Sequence, residues 1–583
     1  MQTKEYKTPK VYMLKNLLLL TAVFNTLFST AQEYPQNYFR SPLDIPLYLS
    51  GNFGELRSNH FHAGLDIKTQ GVEGQKVYAV ADGYVSRIKV SPYGYGNAIY
   101  ITHPNGYTSV YGHLKKYSEK IAEYVKKAQY NKEQFSIQLF PPASQFPLKQ
   151  GELIAYSGNS GGSGGPHLHF EIRDTKSEHP YNPLFFGFKI RDNVRPNIYA
   201  LTIYPLNDTS YINGSNKKKR FSATGKGGNY VLRGNPNIQL FGQFGFGIES
   251  VDKMNGTGNT YGLHQIKLLH NDESIFEQEI SEFAFSEGRY INSYIDYEQY
   301  RRNRRRVQKS FVQDGNRLRI YKKISDKGKL VLNDQKTHNF TYKVNDTYGN
   351  ASSLSFSISA TPTKPQKQIP NLKPAQIRFF QYNQRNTFIE DEVLVDLPPY
   401  ILYEDLYFEY RKEEATNKTI SPIYWLHNHY TPLHSYMTVS IKLDEVVQKK
   451  SKTLIGSTTD GYSFYPEGGR WKGNNISVRT RSFGGYAVLQ DTVAPKITPI
   501  NIYSNADMSN KWSISLKIKD NLAGIESFRA TVDGKWILME YDAKNNLLVH
   551  YFDEHIAPGK HQFKLIVKDG VDNTATFETA FRR

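Results

Sequence analysis

Residues 166–172 read Pro-His-Leu-His-Phe-Glu-Ile, directly after the flexible run Ser160-Gly161-Gly162-Ser163-Gly164-Gly165. Polar and apolar residues alternate here with the period of two that belongs to a strand. The alternation sends His167 and His169 to one face and Leu168, Phe170 and Ile172 to the other. An apolar face seated in a core would hold both imidazoles rigid.

A second polar cluster lies upstream in Phe61-His62-Ala63-Gly64-Leu65-Asp66-Ile67. Gly64 and the Ile67 that follows favour a loop entering a strand over a helix. Two imidazole nitrogens and one carboxylate oxygen make the three-ligand set of a catalytic zinc, which keeps a fourth position open. His62, Asp66 and one of the later histidines supply that set, leaving His113 and the remaining histidine free. The chain has no cysteine, so thiolate ligation and thiol chemistry are excluded and any metal must take His, Asp or Glu. Six of the 16 histidines fall in residues 60–169. Of these, His60 and His103 fit no part of the pattern and are read as structural or solvent-facing.

The same stretch is dense in short strands. Asn97–Thr102 and Tyr107–Tyr111 flank Pro104-Asn105-Gly106, a hairpin signal because Asn and Gly tolerate positive φ. Ile121, Tyr124, Val125 and Ala128 recur at helical spacing, which predicts a short amphipathic helix between 115 and 130. Strand character returns at 152–156.

Further on, three landmarks occur twice in the same order. Asp192-Asn193-Val194-Arg195-Pro196 matches Asp491-Thr492-Val493-Ala494-Pro495, Gly247-Ile248-Glu249-Ser250 matches Gly524-Ile525-Glu526-Ser527, and Asp346-Thr347-Tyr348-Gly349-Asn350 resembles Asp569-Gly570-Val571-Asp572-Asn573. They mark two related β modules at 189–360 and 490–583. Between them, after a Pro-rich linker, residues 361–489 lack the landmarks and form a separate β domain.

The N-terminus has lysines before the apolar run Leu17–Phe24, then the small residues Ser29-Thr30-Ala31. The run is too short to span a bilayer, so residues 1–31 read as a cleaved signal peptide, and the mature protein is expected in the periplasm or outside the cell, without a transmembrane helix. The formal net charge is +18, concentrated in Lys217-Lys218-Lys219-Arg220 and Arg301-Arg302-Asn303-Arg304-Arg305-Arg306. Such runs are either solvated loops or contacts for polyanions. Export excludes nucleic acid as the natural partner and leaves anionic wall polymer or lipid headgroups.

Taken together, His62-x-x-x-Asp66, then Tyr111-Gly112-His113-Leu114, then Ser157-Gly158-Asn159-Ser160-Gly161 leading into Pro166-His167-Leu168-His169-Phe170-Glu171 resembles the lysostaphin-like zinc metallopeptidases of family M23. The resemblance covers roughly residues 45–185. It implies an endopeptidase acting on peptidoglycan stems or cross-links, with one Zn2+ per chain held by His62, Asp66 and His169, and with His113 and His167 as catalytic groups. A non-catalytic M23-fold protein that binds or regulates wall enzymes is the competing reading, and the intact set of five residues argues against it. The two repeated modules more weakly resemble bacterial immunoglobulin-like domains. The fold expected is therefore mainly β: a compact antiparallel peptidase domain at 32–188 with a short helical insertion, followed by three β-sandwich-like domains at 189–360, 361–489 and 490–583. The insertion at 115–145 departs from the most compact members of the family and could form one wall of the substrate groove, which leaves the bond cleaved open. Because all five residues precede 170, residues 189–583 are expected to be dispensable for chemistry.

Overall fold

A computed structural model describes residues 34–361, 377–443 and 449–583. The signal peptide expected at 1–31 and most of the linker after Thr361 lie outside the described residues.

The first domain is built on one antiparallel sheet. Its strands run in the order Leu49–Gly51, Leu65–Lys68, His167–Asp174, Tyr107–Tyr117, Asn97–Thr102, Gly83–Val90 and Pro147–Leu148. Strand 167–174 is thus central, between 65–68 and 107–117. Leu168, Phe170 and Ile172 are fully buried with Leu65, Ile67 and Tyr111 in the core. Each such side chain contributes about 1.5–3 kcal/mol of burial, which fixes the opposite, polar face of the same strands. The 107–117 strand extends past the predicted Tyr111, because Leu114, Lys116 and Tyr117 gain a second partner in Leu153–Ser157.

The amphipathic pattern forms a helix at Glu119–Lys132, with Ile121 and Val125 buried and Glu119 and Lys132 placed to suit its dipole. Its outer face carries the C-terminal module. Tyr130 stacks on His555 with centroids 3.8 Å apart, and Lys126 pairs with Asp553 at 3.0 Å. The insertion is therefore a docking element for a distant module.

The remaining chain is β-rich. In the 189–360 module the 13-residue strand Gln239–Val251 pairs with five others, so the two layers join into one 12-stranded sheet around their core. Two short helices, Ile291–Tyr294 and Tyr297–Asn303, interrupt it. The next domain packs sheets of six and five strands, and the C-terminal module sheets of four and five, each about its own core.

The repeated landmarks do the same structural job twice. Asn350 Nδ2 donates to Asp346 Oδ2 at 2.6 Å and to the Asp192 carbonyl at 3.4 Å, and Asn573 Nδ2 donates to Asp569 Oδ2 at 2.7 Å and to the Asp491 carbonyl at 3.0 Å. In both modules the opening segment is thereby knotted to the last hairpin. The basic runs are partly neutralised from within. Lys218 and Arg302, one from each run, share Glu298 at 2.9 and 2.8 Å, and Lys218 also reaches Asp296. Among the described residues no helix is long and apolar enough to cross a membrane.

Candidate metal centre

Strand register brings the polar residues together. His169 lies directly opposite Asp66 on one side and Gly112 on the other, and His62 sits on the loop just before the Leu65–Lys68 strand. His62 Nε2, Asp66 Oδ1 and His169 Nδ1 form a nearly equilateral triangle with sides of 3.0, 2.9 and 3.1 Å. All three residues are buried, at 6, 7 and 3% exposure.

The outer partners decide which atoms face the centre of that triangle. His62 Nδ1 donates to the Asn52 carbonyl at 2.7 Å, which leaves Nε2 with its lone pair. His169 Nε2 donates to Glu171 Oε1 at 2.7 Å, which leaves Nδ1 with its lone pair. When both imidazoles are neutral, with their protons on these outer nitrogens, two lone pairs and a carboxylate oxygen converge on one point. A divalent cation fits this donor set, and the absence of thiolate and the nitrogen–nitrogen–oxygen mix suit zinc.

The two other histidines line the same place. His113 Nδ1 donates to the Ser160 carbonyl at 2.9 Å, and His167 Nδ1 donates to the Gly165 carbonyl at 2.9 Å. Their rings lie 4.7 Å apart, and His167 Nε2 is 3.4 Å from Asp66 Oδ1. Each keeps an Nε2 lone pair beside the triangle. His113 adopts φ 58°, in the left-handed region that is uncommon for residues other than glycine, and its amide donates to the Tyr95 carbonyl at 2.8 Å. His60 and His103 take no part, as the spacing predicts. His60 is exposed, and His103 bonds Ser109 and the Asp82 carbonyl.

The electrostatics follow from burial and pairing. Burial opposes ionisation of Asp66, yet the surrounding imidazoles of His62, His167 and His169 hold its carboxyl well below the usual range. Burial opposes charge on His169 too, but Asp66 and Glu171 outweigh it and raise it to about 9. That is the response of an anionic pocket to a proton, and a dication answers the same field. Burial, then the neighbouring His169 and His167, lower His113 to about 3, so it stays neutral. Glu171 is fully buried and is nevertheless held down to about 2, because Arg173 and His169 outweigh the burial penalty.

Five supporting residues were given no role by the sequence pattern. Glu171 and Arg173 continue the same strand face as His167 and His169, and Arg173 Nε reaches Glu171 Oε2 at 2.6 Å. Period-two alternation extended by four residues would have found both. Tyr95 stacks on His169 at 4.9 Å and donates to Glu171 at 2.5 Å. Arg57 binds Asp66 Oδ2 at 2.8 Å and turns its other oxygen to the centre. Asn52 and Arg57 precede any recognisable motif, and nothing local marks them.

Residues 60–130 match the model of Peptidase family M23, a span that includes His62, Asp66 and His113 and ends before His167 and His169. Residues 377–491 match a Zu5-like domain, a span that takes up most of the segment 361–489 expected to differ from the two repeated modules and runs two residues past it. A DD-carboxypeptidase/endopeptidase of Neisseria meningitidis serogroup B is 33% identical over 129 residues, 22% of this chain and 23% of that protein. A peptidoglycan DD-endopeptidase of Vibrio cholerae serotype O1 is 30% identical over 157 residues, 25% of this chain and 30% of its own. The matched stretch thus spans less than a third of either relative. The catalytic domain of the antimicrobial peptidase lysostaphin from Staphylococcus simulans is 24% identical and aligns over 23% of this chain and 86% of its own, with a TM-score of 0.17.

Proposed function

We propose, from an N-terminal domain of Peptidase family M23, that this chain is an exported zinc-dependent endopeptidase that hydrolyses peptide bonds in peptidoglycan stems or cross-links. One observation carries the reading: two imidazole lone pairs and a carboxylate converge on a point flanked by two further imidazoles whose Nε2 atoms are free. A binding protein has no use for the flanking pair.

His62 Nε2, Asp66 Oδ1 and His169 Nδ1 would hold one zinc, which supplies Lewis acidity toward the scissile carbonyl and toward water. Asn52 and Glu171 keep the two ligand imidazoles in the tautomer that binds. His113 and His167 each have Nδ1–H pinned to a backbone carbonyl, so only Nε2 is free to take a proton during attack and return it to the departing amine, or to donate to the oxyanion once protonated. The Ser160–Gly165 loop supplies both of those carbonyls, and that explains why a flexible stretch precedes the histidine strand. The envelope location follows from the wall substrate and from the leader segment. The immunoglobulin-like reading of the repeated modules rests on their shared landmarks and gives them a spacing and docking role.

Product analysis tests the proposal. Purified sacculi digested with the full chain should release peptides with new termini in mass spectra, and a chelator should stop their release. Intact sacculi after exposure to metal-replete protein would overturn it.

A further inference from the structure

The 189–360 module holds a second cluster of carboxylates, remote from the histidines. Oxygens of Asp192, Asp252 and Asp346 lie within 4.8 Å of one another. Asp192 comes from the segment leaving the peptidase domain, Asp252 follows the long strand, and Asp346 opens the last hairpin turn. Among the described residues no ion pair involves any of the three.

Two of these carboxylates are incompletely satisfied. Asp252 is 2% exposed and its Oδ1 has no hydrogen-bond partner, and the buried Asp192 Oδ2 has none either. An unpaired buried carboxylate oxygen is costly, and two beside a third carboxylate are more so. The C-terminal module offers an internal comparison. There Asp491, Asp520 and Asp569 gather in the same way, but backbone N–H groups answer them more fully, leaving one buried oxygen, Asp520 Oδ1, without a partner. Asp491 Oδ2 accepts from Ala523 at 3.0 Å, where its counterpart Asp192 Oδ2 accepts from nothing, and Asp520 Oδ2 accepts from Leu522 and Gly524, both at 2.9 Å. The third carboxylate also differs in origin: Asp520 precedes the Gly-Ile-Glu-Ser landmark and Asp252 follows it. The C-terminal knot leaves one buried carboxylate oxygen without a donor and this one leaves two, on two different aspartates, so it is the shorter of positive charge.

We propose that Asp192, Asp252 and Asp346 bind one divalent cation of the hard, oxygen-seeking class, calcium, at the junction of the peptidase domain and the module that follows it. Oxygens around Ca2+ sit at about 2.3–2.6 Å from the ion and so up to about 5 Å from each other, wider than Mg2+ accepts. The position gives the ion a structural task. Asp252 and Tyr261 exchange two backbone hydrogen bonds of 3.0 Å at the base of a loop. From that loop Tyr261 Oη donates to the Leu49 carbonyl at 2.9 Å, and Gly262 clasps the side chain of Asn52. A cation at the base would stiffen the connection to the peptidase domain, whatever that domain cleaves.

The test is calorimetric titration of the zinc-loaded full chain with calcium chloride, paired with thermal melts. One calcium should bind per chain, with Kd of about 10⁻⁴–10⁻³ M as in extracellular modules, and should raise the midpoint of a melting transition by a few degrees. Asp252→Asn should abolish both signals while melting in calcium-free buffer no lower than the parent. Asp192→Asn, at a half-exposed position, provides the same reading should Asp252→Asn fail to fold. Asp520→Asn should leave binding unchanged. Absence of binding up to about 10 mM calcium, binding that survives both the Asp252 and Asp192 substitutions, or binding lost in Asp520→Asn would each overturn the proposal, and magnesium binding as tightly as calcium would overturn the choice of ion.

Discussion

The carbonyl of Asn52 accepts the Nδ1–H of His62 at 2.7 Å, and the side chain of the same asparagine is held from both sides by Gly262, 210 residues away, at 2.8 and 2.9 Å. The loop that orients a metal ligand is therefore shared between two domains. Phe53 and Phe61, on either side of that loop, pack in one core with Phe283, Ile291 and Tyr294 of the 189–360 module. The five residues of the candidate site all precede 170, yet the surface that fixes His62 does not. A fragment of residues 34–188 should accordingly bind zinc poorly and expose a sticky apolar face, while a fragment of residues 34–360 should hold zinc like the full chain. Metal analysis of both after gel filtration decides it. A monomeric, zinc-loaded 34–188 fragment would show that the module is a spacer after all.

Glu171 carries a separate prediction. Its carboxylate takes the Nε2–H of His169 and the guanidinium of Arg173 while fully buried. Glu171→Gln keeps the shape and one acceptor but removes the charge that makes His169 Nδ1 a strong donor. Zinc affinity should fall about 10–100-fold, the usual cost of an altered outer partner, as read by competition with a chromogenic chelator. Glu171→Ala should fare worse, because Arg173 loses its buried partner and keeps only the exposed Glu178 at 3.7 Å. Equal zinc affinity in the parent and in Glu171→Gln would remove Glu171 from the site.

Gly64, just before the Leu65–Lys68 strand, lies close against the neighbouring ligand strand. A Cβ there would sit 2.2 Å from the Phe170 carbonyl oxygen and 2.9 Å from its carbon, both of them backbone atoms that cannot swing aside. Gly64→Ala should push the Leu65–Lys68 strand off its neighbour and pull Asp66 away from His169. Overpacking of this kind costs about 1–3 kcal/mol or more. The expected outcome is a lower melting temperature together with loss of zinc. A variant that melts like the parent and retains the metal would contradict the packing.

What could be read in advance follows the range of the interactions. His167 and His169 were legible because a strand's period of two is a local property, and Leu168, Phe170 and Ile172 confirm it by being fully buried. The helix at 119–132 was legible for the same reason. Its task was not, because Asp553 and His555 lie more than 400 residues further along, and no local pattern announces a docking partner. The repeat was visible as three matching landmarks. That Asp491 Oδ2 finds a donor where Asp192 Oδ2 does not could be learned only from the geometry, since Ala523 and Asp491 are 32 residues apart. Asn52 and Arg57 were hidden because they act on the site through His62 and Asp66 and carry no spacing of their own.

The sharpest prediction separates the histidines by what their nitrogens do. His169 presents Nδ1 to the centre of the triangle, whereas His113 and His167 present Nε2 beside it. His169→Ala should lose zinc and activity together, as should His62→Ala and Asp66→Ala. His113→Ala and His167→Ala should each keep the metal and the melting temperature while kcat falls about 10²–10⁴-fold, the range for a lost proton-transfer or oxyanion group. Because the two rings, 4.7 Å apart, serve one transition state, the double variant should be little slower than either single one. Steady-state rates on a soluble muropeptide, with zinc content measured on the same samples, make the comparison. A metal-replete His113→Ala protein that cleaves at the parental rate would take His113 out of the chemistry and leave its left-handed backbone conformation without a functional reason.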